Sequence, residues 1–401
     1  MVFQALNNGL LGQAFGVYFV HLQQEFGWSK TTLSGAFSLN QLASGIISPL
    51  QGWLIERLGS RTMLRIGVIA FAVGLVLASR IHSLASFYWV FLLSAVGASF
   101  SGVLAVSVVV AHWFRRKRAS ALGVASMGQG VGGLLVVVIA LAVGHYGWRV
   151  AALFSGLVVL VIGLPVTQLM RETPEAHGLL PDGDAPRPSP EGAPRGATVG
   201  EPGAAGTAAD FSAAEALKTS AFWLLAIGHA ASALPIVGVA VHLVPDLVDY
   251  LHLTVQAAAG VVALLTGATM VGFLGGGFIG DRSDKRMVAV MTSLVQIVAL
   301  CFLAFANSLA LIIVFAILFG LAQGARNPIM PALRVDYFGL KDFPLIMGFS
   351  FLVLTLGTVT APLLGGYMAD RFGSYQGAFL VMAAIAGLGA LCLYFARKPS
   401  K

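Results

Sequence analysis

Apolar residues in this chain neither alternate with polar ones nor keep to a single stripe. They run on in stretches of roughly 20, divided by short polar loops. Twelve stretches stand out, at approximately 3–24, 32–56, 62–80, 86–111, 119–143, 149–170, 220–245, 256–280, 287–306, 309–333, 343–368 and 376–396. Each matches the ~20-residue helix that crosses a bilayer and is far too long for a barrel strand. In hydrocarbon a helix satisfies its own backbone hydrogen bonds. The pattern therefore predicts an all-α polytopic membrane protein with twelve transmembrane helices, numbered here as spans one to twelve. The first stretch begins almost at Met1 with no flanking charge, so a longer native N-terminus is expected, without a cleavable signal peptide.

Residues 171–219 interrupt the series. Pro181, Pro186, Pro188, Pro190, Pro194 and Pro202 stand there among Gly, Ala and Asp, a composition that buries too little apolar surface to fold. The expected organisation is a six-helix bundle over 1–170, a flexible linker over 171–219 and a second six-helix bundle over 220–401.

Charge then sets orientation. Arg57, Arg61, the run Arg115 to Arg118, Arg282 to Arg286 and the C-terminal Arg397 and Lys398 fall on one side, with Arg334 and Lys341. Only Lys30, Arg80, Arg149 and Arg371 fall on the other. The positive-inside rule places the linker and both termini in the cytoplasm; the expected location is a cell (inner) membrane. The net charge of +7 and the 10% charged residues, against 57% hydrophobic, point to helix-end anchoring rather than to nucleic acid. A soluble domain carries about 25% charged residues. Cys301 and Cys392 lie inside apolar stretches and read as small buried hydrophobes.

The two halves repeat. Span two ends in Gly52-Trp-Leu-Ile-Glu56-Arg57-Leu-Gly-Ser-Arg61, and span eight ends in Gly277-Phe-Ile-Gly-Asp281-Arg282-Ser-Asp-Lys-Arg286. Both read Gly-x-x-x-acid-Arg-x-x-x-Arg, at an offset of 277 − 52 = 225 residues. A weaker echo joins Tyr146-Gly147-Trp148 to Phe372-Gly373-Ser374. Glycine permits close helix approach. The acid and arginines, at a helix end, can pair across the seam between halves or meet a helix terminus. Occurring twice at one offset, Gly52, Glu56, Arg57, Arg61, Gly277, Asp281, Arg282 and Arg286 read as gating residues. A single copy would be ordinary charge anchoring.

Twelve spans, a central loop and the duplicated motif resemble the major facilitator superfamily over essentially the whole chain. The resemblance implies two pseudo-symmetric bundles that transport by alternating access, with spans one, four, seven and ten lining the cavity. Finer likenesses point to its monocarboxylate and oxalate:formate branch. They are Phe26-Gly27-Trp28-Ser29, Trp113-Phe114, Leu179-Leu180-Pro181-Asp182-Gly183, Ala221-Phe222-Trp223, Asp336-Tyr337-Phe338-Gly339 and Gly373-Ser374-Tyr375. Members of that branch often place a substrate-binding arginine four residues before the span-eight motif glycine. Phe273 stands there instead, and the span-eleven lysine of oxalate carriers is absent, which argues against oxalate.

Polar residues in the spans are the site candidates, because charge in hydrocarbon is costly. Gln4, Asn7, Asn8 and Tyr18 share one arc of span one. That arc faces either a wet cavity or a neighbouring helix. His229 falls near mid-depth of span seven, as a ligand or a packing group, and His242 with Asp246 forms an outer-rim pair. Gly272, Gly276 and Gly280 make a seam in span eight. Arg326 is the one cation placed well inside a span, roughly 12 Å above the end of span ten. Asn327, Pro328 and Pro331 beside it suggest a broken helix. Its fork suits a carboxylate, so Arg326 and Asn327 are read as substrate-binding. A structural tie or a lipid headgroup are the alternatives for Arg326.

The resulting expectation is a secondary transporter of a small, monocarboxylate-like organic anion. The alternative is efflux of drugs or other hydrophobic compounds. Neither catalytic residues, metal ligands, cofactors nor nucleic acid are expected. The partners are the substrate and membrane lipid, and the chain is expected to be monomeric. No mid-span carboxylate offers a proton relay, so any coupled proton would ride on histidine or on the substrate.

Overall fold

A computed structural model describes residues 1–184, 210–249 and 252–400. Helices dominate these residues, and ten of them are long and apolar enough to cross a membrane. Spans one and two complete the set of twelve. Span one is the most irregular. It comprises Val2–Asn7, a π-helical turn over Asn8–Gln13 and Phe15–Phe26. Span two is Lys30–Leu58, made less apolar by its amides and hydroxyls.

Glycine-rich runs decide which helices touch. In Gly128-Gln129-Gly130-Val131-Gly132-Gly133, a Cβ at Gly128 would strike the Met1 carbonyl, and one at Gly132 the Ala5 carbonyl. Span five thus seats span one there, while Gly130 admits the Met270 side chain of span eight. Gly272 and Gly276 lie against Leu321 and Ala325 of span ten, so the expected seam in span eight joins spans eight and ten.

Contacts repeat between halves as the sequence does. Spans three and six pack together, as do nine and twelve. Two further pairs cross between the halves, two with eleven and five with eight. In the first pair Gly52 meets Pro344 and Leu345, and Gly348 meets Ser48. In the second, Gly277 meets Ala119 and Ser120, and Gly123 meets Phe273. Every member of the first set lies 225 residues from its counterpart in the second. Phe273 is therefore a seam residue, with its backbone against span five.

Three expectations are corrected. The linker does not loosen at residue 171 or stay loose until 219. Glu172 accepts from the Arg61 amide (3.2 Å), and Asp182 from the amides of Arg115 and Arg116. A short helix over Ala213–Leu217 docks on the second bundle. Residues 185–209 lie outside the described residues. Span ten is one continuous helix, Leu309–Phe338, through Pro328 and Pro331. Packing against span eight holds it, and neighbours can satisfy the backbone groups a proline frees. Finally, Arg326 is not the single deep cation of span ten. Arg334 is also only 1% exposed, because the helix continues past it to Phe338.

Candidate functional site

The duplicated motif closes one end of the molecule. Span two brings Glu56 to the first turn of span eleven, where it accepts from the Leu345 amide (3.1 Å). Span eight brings Asp281 to the first turn of span five, where its two oxygens accept from Ala119 N (2.8 Å) and Ser120 N (2.9 Å). The first amides of a helix have no intrahelical partner and carry the positive end of the dipole. Each acid thus caps a helix of the opposite half. The count differs for a covalent reason. Pro344 occupies the place of Ala119 and has no N–H to give.

Of the two expected contacts, pairing across the seam or meeting a helix terminus, the motif arginines do not make the first, and Arg61 and Arg286 make the second. Arg57 stacks on Trp53 and Arg282 on Phe278, one turn back in each helix. Arg61 donates to the Thr167 and Gln168 carbonyls at the end of span six, and Arg286 reaches Tyr394 O at the end of span twelve (3.4 Å). Cations suit helix C-termini, and each of these ties its own bundle together. A cross-seam ion pair comes instead from Asp336, which sits between Arg118 of span five (3.3 Å) and Lys285 of span nine (2.7 Å).

A cavity of about 420 Å³ lies directly beyond this closed end. Spans one and five supply Gln4, Asn7, Asn8 and Gln129, span two supplies Asn40, Gln41 and Gln51, and span eleven closes it with Phe351, Thr355 and Thr358. Its volume falls in the range of small-molecule sites, about 300–1,000 Å³. No charged side chain lines it among the described residues. Span one's polar arc therefore faces a cavity over its first two turns. Asn7 is anchored on the Ala98 carbonyl (2.9 Å) and Asn8 on the Gln129 carbonyl (2.6 Å). The π turn begins at Asn8, and such turns frequently occur at functional sites.

The other candidates lie elsewhere. Tyr18 borders a separate apolar void of about 50 Å³, near Leu10, Phe15 and Phe87. Arg326 is 1% exposed inside the second bundle, donating to Gln296 Oε1 of span nine (2.6 Å) and to the Ser232 carbonyl of span seven (2.8 Å). Arg334 donates to Ser350 Oγ (3.0 Å) and the Met330 carbonyl (3.2 Å), and approaches His229 Nδ1 at 3.3 Å. Because arginine only donates, His229 Nδ1 must accept there. Asn327 turns toward the first bundle, where Ser126 Oγ lies 3.5 Å from its Oδ1. His242 is bonded to the Pro362 carbonyl of span eleven (3.0 Å) and rests on Tyr375.

Arg326 and Arg334 thus share a cluster rich in donors and poor in acceptors. No carboxylate stands within ion-pair distance of either guanidinium among the described residues. Beside Arg326, the buried Nε2 of Gln296 has no acceptor. Sequence inspection missed Arg334, which hydropathy alone places at a helix end. It also missed span eleven as a cavity wall, since Thr355 and Thr358 resemble ordinary helix hydroxyls.

Similarity to known proteins agrees with this architecture. A sequence model of the Major Facilitator Superfamily matches residues 1–282 and again 225–401. The MFS transporter asaE of Aspergillus flavus is 27% identical over 390 residues, covering 90% of this chain and 79% of that protein. Monocarboxylate transporter 12-B of Danio rerio is 25% identical over 399 residues, covering 92% and 80%. Among solved structures, the fucose:proton symporter FucP of E. coli superposes with a TM-score of 0.74 at 15% identity, over 99% of this chain and 97% of that one. At that identity the superposition speaks for the fold alone. Twelve spans in two halves, a motif closing both cross-half helix pairs and a double match to one family lead to a single assignment: the chain belongs to the Major Facilitator Superfamily.

Proposed function

We propose that the chain moves a small organic anion across the membrane by alternating access. Family membership makes it a multi-pass membrane transporter rather than an enzyme. The observation that carries the anion is the acceptor-poor cluster of the second bundle. Arg326, Arg334 and Gln296 Nε2 are buried donors without a carboxylate among them. A buried guanidinium is stabilised by an anionic partner, and a substrate carboxylate would serve Arg326 and Gln296 together. Asn327 lies on the same helix where it meets the first bundle. Asn7 and Asn8 would contact cargo in the cavity, with His229 orienting Arg334 and Tyr18 bordering the outer part of span one. Monocarboxylate-like cargo fits the name of the Danio rerio relative. The efflux alternative fits less well, because an apolar cargo would desolvate the cavity amides without replacing their hydrogen bonds.

Purified protein in proteoliposomes should accumulate or exchange labelled carboxylates. A lipophilic cation carried in preference to every carboxylate would overturn the anion assignment. We also infer from the charge asymmetry that the closed, basic end faces the cytoplasm of a cell membrane, with both termini there. In a Cys301→Ser, Cys392→Ser background, a cysteine replacing the exposed Glu175 should resist an impermeant thiol reagent in intact cells and react after lysis. Labelling in intact cells would reverse the orientation.

A further inference from the structure

Seven carboxamides line the cavity, from Gln4, Asn7, Asn8, Asn40, Gln41, Gln51 and Gln129. Such a lining is expensive to leave unoccupied by hydrogen-bonding groups. An amide offers two N–H donors and two lone pairs, and protein partners use only part of this capacity. Asn40 Oδ1 accepts from Ser44 Oγ (3.3 Å). Gln51 exchanges bonds with Ser99 through Nε2 and Oε1 (2.9 and 3.2 Å). Gln4 Oε1 accepts from Gln129 Nε2 (3.3 Å). Those bonds fix the side chains and leave the amide nitrogens of Asn40 and Gln4 without a protein partner among the described residues. Gln41 is held by no hydrogen bond among the described residues. The unpartnered nitrogens of Asn40 and Gln4 are not among the fully covered polar atoms, whereas Gln51 is only 1% exposed and is held by Ser99. Thr355 and Thr358 direct their protons to their own helix, so their oxygens can still accept.

We infer that the cargo carries several hydroxyl groups, so that its class is a polyhydroxylated carboxylate rather than a plain alkyl acid. The carboxylate end rests on the anion reading above. The hydroxylated end rests only on the cavity. An alkyl chain would displace water from the amides and return nothing, whereas vicinal hydroxyls can donate to one amide oxygen and accept from the next amide nitrogen. A site built to bond a hydroxyl discriminates far better against the analogue lacking it than an apolar pocket discriminates a methylene.

The test compares gluconate, butyrate, the neutral polyol glucitol and tetraphenylphosphonium, by equilibrium binding to detergent-purified protein and by uptake into proteoliposomes. Gluconate should exceed butyrate by at least about 100-fold. Gln41→Leu should shrink that ratio by about tenfold or more, the scale of one lost hydrogen bond at about 1.4 kcal/mol, while the protein keeps its elution volume. Preference for glucitol over gluconate would support the hydroxylated cargo and remove the anion. Butyrate binding as well as gluconate would overturn the present inference and keep the anion. A preference for tetraphenylphosphonium would overturn both. Binding of neither hydroxylated probe by the folded protein, or an unchanged ratio in Gln41→Leu, overturns the inference.

Discussion

Gly277→Leu should stop transport while leaving equilibrium substrate binding largely intact. A Cβ at Gly277 would overlap the Ala119 carbonyl and the Ser120 Cα. These are backbone atoms of a helix start, and they cannot rotate aside. The clash arises only when the closed end is assembled. The cavity residues from Asn7 to Gln51 and Thr355 lie beyond it. Overpacking of this kind costs about 1–3 kcal/mol, which alone shifts a two-state population by roughly 5–150-fold. Gly52→Leu, facing the Pro344 carbonyl and the Leu345 Cα, should behave alike. The capping acids grade the effect. Asp281→Ala removes two charge-assisted bonds and Glu56→Ala removes one, each about 1.5–3 kcal/mol. Closure should therefore weaken more in Asp281→Ala. Exchange rates set against equilibrium binding of a transported carboxylate decide the point. Binding lost in proportion to transport would show that the motif contacts cargo and is not a gate.

Arg326→Gln should reduce affinity for the transported anion by at least about 100-fold, the scale of a lost charge-assisted pair, without lowering thermal stability. The reasoning turns on the neutrality of its partners. Gln296 Oε1 and the Ser232 carbonyl hold the fork in place but do not cancel its charge. Removing an uncompensated buried charge relieves a desolvation penalty, which offsets the two lost bonds. Arg326→Lys keeps the charge and loses the planar fork, so it too should bind weakly. A purely structural tie between spans seven, nine and ten predicts the reverse pattern. In that case Arg326→Gln melts earlier and binds anions as well as the parent. Melting temperature measured beside anion affinity separates the two roles.

Hydropathy counts and repeat matching are local operations, and they reach as far as local physics does. The twelve spans follow from the length of apolar runs, because a bilayer demands about 20 residues in a helix. The 225-residue repeat is visible because one motif occurs twice. It extends to contacts the motif does not contain, such as Gly123 on Phe273 and Gly348 on Ser48. The polar arc of span one was also legible from its 3.6-residue period, although only Gln4, Asn7 and Asn8 reach the main cavity and Tyr18 does not.

What the motif acids touch was decided by tertiary structure. Nothing local tells Glu56 to meet Leu345, 289 positions later, or makes Asp281 take two amides where Glu56 takes one. That difference depends on Pro344 lying across the seam. The depth of Arg334 was hidden because hydropathy ends span ten at its first charge, while the helix runs on to Phe338. The acceptor-poor cluster and the amide-lined cavity each draw residues from at least three helices distant in sequence. The sequence determined which segments enter the membrane. The packing of glycine faces decided which of their polar groups meet, since helix pairing depends on surface shape summed over many small contacts.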